Sequence, residues 1–153
     1  MTMARQVALD TNVLVALIDD HDKWHEEARS LHGALEAEQI ELIYFDCVLN
    51  ETVSVLARRA HEQKRVEEFV PMLDGLVCLI PADMVTWVSN ESQRLYESVV
   101  ELVRDSQGAL NFNDALIALF CREIGVSTIV TFDRDFDLAP WLQRLDRPGF
   151  AGR

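Results

Sequence analysis

The chain has 153 residues, 49% of them apolar, which suits one domain with a sizeable core and requires no second. Its formal charge of −12, from 26 acidic against 14 basic side chains, repels polyanions at long range and argues against a general nucleic-acid sponge. No apolar run approaches the roughly 18 residues of a membrane span, and Met1 to Gln6 precede no signal-type stretch, so a soluble, cytosolic protein is expected.

Gln6 to Leu9 read as the first strand, and Asn12 to Ile18 as a short helix with a nearly continuous apolar face. Polar Asp19-Asp20-His21-Asp22 caps a second helix running to about Gln39, with Trp24, Ala28, Leu31 and Leu35 on one stripe. Leu42 to Phe45 is a short buried strand. Asp46 is placed to cap the next helix, in which Val48, Leu49, Thr52, Val53, Leu56 and Ala60 recur at helical spacing.

A further helix is predicted from near Gln63 to before Gly75, with Pro71 perturbing its last turn. Leu76 to Ile80 reads as the third strand, stopped by Pro81. Asp83 to Arg104 is predicted helical, with Val85, Val88, Leu95, Val99 and Leu102 inward. After the break at Ser106-Gln107-Gly108 comes a helix from Asn113 to Glu123, closed by Gly125 in the C′ position. Ser127 to Thr131 is the fourth strand, and a short edge strand is expected near Leu145. Strands separated by helices predict an α/β domain with a mainly parallel sheet over residues 1–145, and a fraying tail over 146–153.

Four carboxylates stand out. Asp10 ends the apolar run Val7-Ala8-Leu9, and Asp133 ends Ile129-Val130-Thr131-Phe132; Glu51 and Asp114 lie near helix starts. If both strands are parallel and adjacent, their carboxyl ends point the same way and the two helix starts can flank one crevice, where oxygen donors hold a hard divalent cation. Thr11 and Asn12 are placed to orient Asp10 or a metal water, and Asp135 or Asp137 can add a contact from the Asp133 turn. Each acid also has a plainer role: Asp10 as a helix cap, Glu51 as a surface partner of Arg58 or Arg59, Asp114 as a first-turn charge, Asp133 as a turn residue. Local arginines such as Arg58, Arg59, Arg134 or Arg144 would assist a phosphate-bearing ligand.

Other chemistries have less support. Cys47, Cys78 and Cys121 form no Cys-x-x-Cys pair and read as reduced core or near-core residues. His21, His25, His32 and His61 lack a zinc signature and read as solvent-facing or capping. No glycine-rich phosphate loop and no Gly-x-Ser-x-Gly elbow occurs.

The segments Leu9-Asp10-Thr11-Asn12-Val13-Leu14, Asn50-Glu51 within Val48 to Arg59, Asn113-Asp114-Ala115-Leu116-Ile117-Ala118 and Thr131-Phe132-Asp133-Arg134-Asp135-Phe136 together resemble a PIN domain over about Val7 to Leu142. The resemblance is closest to small prokaryotic PIN proteins of the VapC type, the toxins of toxin–antitoxin pairs. It implies a three-layer α/β/α fold and a magnesium- or manganese-dependent endoribonuclease acting on single-stranded or structured RNA. It also implies Asp10, Glu51, Asp114 and Asp133 as the acidic centre, a homodimer, and a cognate antitoxin. Two other readings remain at this stage. A phosphohydrolase forming an aspartyl phosphate on Asp10 would ordinarily have an acid where Asn12 stands and a lysine near the later motifs, whereas the only lysines are Lys23 and Lys64. A non-catalytic PIN-like interaction protein is the third class.

Overall fold

Five short strands, all parallel, form the centre of the computed structural model, which describes residues 5–148. They are β1 (Gln6–Leu9), β2 (Glu41–Phe45), β3 (Val85–Thr86), β4 (Thr128–Val130) and β5 (Gln143–Leu145), in the spatial order β3-β2-β1-β4-β5. Helices α1 (Thr11–Ile18), α2 (His25–Ala37), α3 (Asp46–Glu62), α4 (Val66–Leu79), α5 (Ser92–Asp105) and α6 (Phe112–Ile124) flank the sheet. The α/β class, the helical layers around a parallel sheet and the edge strand at Leu145 agree with the sequence reading.

The inner strands read as continuous apolar runs because helices cover both their faces. Val7, Ala8, Leu9, Ile129 and Val130 are all buried, and Phe45, Leu14, Leu116 and Phe136 close around them. Ala8 pairs with Ile43 on one side and Ile129 on the other, so β1 is the central strand. The chain runs outward from β1 through β2 to β3, then returns to β1's other side for β4. That reversal sets a topological switch point between β1 and β4, and parallel strands open a crevice there at their carboxyl ends.

Three expectations need correction. Leu76 to Ile80 is not a strand: α4 runs through it to Leu79. A short apolar run fits either element, and here Met72, Leu76 and Ile80 form a buried stripe at helical spacing, with Pro71 inside the helix. The third strand is instead Val85–Thr86, within the stretch expected to be helical, and α5 starts only at Ser92. Asp46 does not cap its own helix. It sits in the first turn of α3 and accepts hydrogen bonds from the Val88 N–H at 2.6 Å and from the Ser89 N–H and hydroxyl, fastening the chain that follows β3.

Side-chain placement brings further corrections. Cys47 and Cys121 are buried, and burial pushes both thiols up to about 12, but Cys78 is exposed because the helix turns it outward. Trp24 precedes α2 and is 41% exposed rather than on the inward stripe. Among the histidines, His32 is buried, and His25 Nδ1 lies 2.7 Å from the Ala16 carbonyl oxygen. The expected fraying at Gly149 to Arg153 lies outside the described residues.

Candidate active site

Asp10 follows β1 directly and N-caps α1, its Oδ1 accepting from the Thr11 N–H at 2.8 Å. Its backbone N–H donates to the Val130 carbonyl at 3.0 Å, which pins this junction against β4 at the switch point. Asp133, three residues past β4, lies across the crevice. Glu51 rises from the second turn of α3, half-buried beside Val48 and Thr52. Asp114 is the third residue of α6 and belongs to a reciprocal capping box. Asn111 Oδ1 accepts the Asp114 N–H at 2.8 Å, while Asp114 Oδ2 faces the Asn111 N–H at 3.4 Å.

All four carboxylates, together with Thr11, Asn12 and Asn111, line one open pocket of about 610 Å³. A hydrogen-bonded scaffold sets their positions. Asn12 Nδ2 donates to Asp10 Oδ2 at 3.2 Å, and the Thr11 hydroxyl donates to Glu51 Oε2 at 3.1 Å. Thr131 is a site residue that the sequence reading did not single out. Its buried hydroxyl donates to Asp10 Oδ2 at 2.8 Å and accepts from Asn12 Nδ2 at 3.1 Å and from the Asp133 N–H at 3.0 Å. The available signal was its place two residues before Asp133, but threonine in a strand ordinarily reads as a β-former.

Asp135 and Asp137 are outside the pocket lining. The Asp135 N–H donates to Asp133 Oδ1 at 2.9 Å, an Asx-type turn that orients Asp133, and Asp137 pairs with Arg144 at 3.3 Å. Of the arginines suggested by the sequence, only Arg59 lines the pocket, and it is already held by Asp22 at 2.6 Å and Asp19 at 3.3 Å.

The electrostatics follow from this crowding. Burial is the main force lifting Asp10 to about 6; the Thr131 hydroxyl and Thr11 amide work against it, and the charges of Glu51 and Asp133 add to it. Burial likewise leads for Asp114, with the Asp10 charge next, and together with Glu51 and Asp133 they lift it to about 7 against the Asn111 amide. The donor set is oxygen only, hard and net negative, and its repulsion falls when a divalent cation enters; its chemistry therefore fits magnesium or manganese. Among the described residues no group of three His, Cys, Asp or Glu side chains is already drawn together tightly enough to hold an ion.

A stability prediction follows. In the metal-free protein, Asp10 and Asp114 keep their protons to higher pH than in the unfolded chain, where both titrate near 3.8. Between those values the native state binds more protons than the unfolded state, so stability is greatest at the acidic end of the window and falls as pH rises from about 4 to 7. For buried Asp10 alone the loss is on the order of 2–3 kcal/mol. Thermal melts in chelator should show a higher midpoint near pH 5 than near pH 7.5, and manganese should close much of that gap. An identical pH dependence in the Asp10→Asn protein would contradict this account.

An α/β domain with an acidic, oxygen-rich pocket at the switch point of an all-parallel sheet defines the class. The family model of the PIN domain matches residues 7–142, and the chain belongs to that family. The crystal structure of Mycobacterium tuberculosis VapC20, described as a sarcin-ricin loop cleaving toxin, is similar to it with a TM-score of 0.64 at 25% identity, over 87% of this chain and 94% of that one. No curated protein matches the chain in sequence comparison.

Proposed function

We propose that this PIN domain is a metal-dependent endoribonuclease and the toxin of a toxin–antitoxin pair, hydrolysing phosphodiester bonds in single-stranded or structured RNA. The observation that carries the reading is the arrival of Asp10, Glu51, Asp114 and Asp133, from four separate segments, in one pocket at the carboxyl edge of the sheet. Likeness to a structure described as an RNA-cleaving toxin supports the substrate class.

In this reading Asp10 and Asp114 are the principal oxygen donors to magnesium or manganese, and Glu51 and Asp133 complete the set directly or through water. When bound, the cation supplies positive charge to a phosphate oxygen, eases deprotonation of an attacking water, and stabilises charge on the leaving 3′ oxygen. Thr131 and Asn12 hold Asp10 Oδ2 from two sides and leave its carboxylate little freedom to swing. Thr11 fixes Glu51 relative to Asp10 through adjacent bonds to both. A homodimer, a cytoplasmic setting and a cognate antitoxin belong to the same proposal.

The test is incubation of the purified protein with total cellular RNA, followed by mapping of the new ends. Discrete cleavage in magnesium or manganese, abolished by chelator, is expected. Absence of cleavage by folded, metal-loaded protein free of any antitoxin would overturn the ribonuclease reading and favour a non-catalytic interaction domain.

A further inference from the structure

A large aromatic side chain stands open at the mouth of the carboxylate pocket. Trp24 lines that pocket, is 41% exposed, and stacks on Phe132 with ring centres 5.1 Å apart and planes 19° from parallel. Covering Phe132 accounts for part of the indole surface and leaves the rest facing water, where the hydrophobic effect disfavours it. The backbone that carries it is anchored. The Trp24 backbone N–H donates to Asp22 Oδ1 at 2.8 Å, Asp22 Oδ2 accepts from Arg59 at 2.6 Å, and the neighbouring His25 ring contacts the Ala16 carbonyl oxygen.

Phe132 is tied to the acidic centre in turn. Its N–H donates to Asn12 Oδ1 at 3.0 Å, and the other end of that amide holds Asp10. The backbone at Phe132 and the Asp10 carboxylate are thus tied to one another through the Asn12 side chain. Lys23 adds a charge. Its ammonium lies 5.5 Å from the centre of the Trp24 ring and has no carboxylate partner among the described residues, whereas Arg59, also at the pocket, is spent on Asp19 and Asp22.

We propose that Trp24, backed by Phe132, is a stacking platform for an unpaired base of the RNA beside the scissile phosphate, with Lys23 contacting the neighbouring backbone phosphate. This rests on the ribonuclease reading and narrows it to strands with a splayed base at the cut, in a loop or single-stranded segment. An aromatic plane takes any base on its π-face, and one already stacked on Phe132 has less freedom to lose on binding. The site would therefore select for unpaired structure ahead of base identity.

The experiment uses an oligoribonucleotide spanning the strongest mapped cleavage position, in single-turnover cleavage with manganese. Trp24→Ala should raise the half-saturating enzyme concentration about 10-fold or more and leave the maximal rate within about 3-fold, while Trp24→Phe stays close to wild type. Substrates carrying one abasic sugar at successive positions separate stacking from structure. At the stacked position the wild-type enzyme should lose affinity and the Trp24→Ala penalty should vanish. Trp24→Leu replaces Trp24→Ala if circular dichroism shows the alanine protein unfolded. A Trp24→Ala enzyme with wild-type saturation would overturn the platform and leave the ribonuclease intact, as would a penalty equal on every abasic substrate. Failure of the wild-type enzyme to cut any RNA removes both proposals.

Discussion

Replacing Asp114 by asparagine should yield a protein that melts at a higher temperature than wild type in chelator, yet cleaves RNA at least about 100-fold more slowly in manganese. Loss of a group that merely orients a ligand typically costs 10- to 100-fold, and loss of a donor itself costs more. The two effects have opposite signs for one reason: four carboxylates share the pocket without a cation, and burial together with the Asp10 charge already lifts Asp114 to about 7. Asparagine keeps the shape and can still accept the Asn111 N–H, so the capping box survives while one negative charge leaves. A folded Asp114→Asn protein with wild-type cleavage would eliminate Asp114 from the metal set. One that melts lower in chelator would show that its carboxylate serves the helix more than the ion.

The second large effect lies away from the pocket floor. Asp19 is 1% exposed, yet the Arg65 hydrogen bond, the His21 amide and Arg59 together outweigh the burial that would raise it, and hold it below the usual carboxylate range. Arg65 Nη2 reaches Asp19 Oδ1 at 2.7 Å, Arg59 reaches Oδ2 at 3.3 Å, and Arg65 also pairs with Glu68. Arg65→Ala strips the shorter bond from a covered carboxylate. Breaking a deep ion pair costs about 3–5 kcal/mol, but here the arginines themselves form the cover and Arg59 remains, so a loss of about 2 kcal/mol is expected by denaturant unfolding. A depressed carboxylate stabilises above its unfolded pKa, and that contribution disappears as pH falls through the folded value. The Arg65→Ala deficit should therefore be full at neutral pH and shrink in strong acid, opposite in direction to the Asp10 and Asp114 effect. A deficit that does not change with pH would assign the loss to packing of the arginine stem.

What the sequence made legible was whatever depends on near neighbours. Asp10 and Asp133 stand out because an apolar run followed by an acid marks the carboxyl end of a strand, and Glu51 and Asp114 because each is an acid near the start of a helical pattern. Contacts made at long range stayed hidden. Asp46 reads locally as a cap but is taken by backbone groups 42 and 43 residues away, and Asp19 meets Arg65 across 46 residues. Thr131 reaches Asp10 over 121 residues, and its place two residues before Asp133 was masked by the ordinary reading of a strand threonine. The exchange of Leu76–Ile80 for Val85–Thr86 as the third strand has the same origin. An apolar pentapeptide is ambiguous alone, and β3 exists through its pairing with Tyr44 and Phe45.

Helix α1 has only eight residues, about 12 Å of rise, with Asp10 capping its entrance and Asp19 closing its exit. It works as a stiff rod clamped at both tips, one in the acidic pocket and the other in the arginine cluster. A disturbance at the far clamp would tilt the rod and move the near tip, so substitution of Arg65, which lies outside the pocket lining, should impair turnover without touching substrate. Drift at Arg65 would thus be constrained as tightly as at many residues lining the pocket itself.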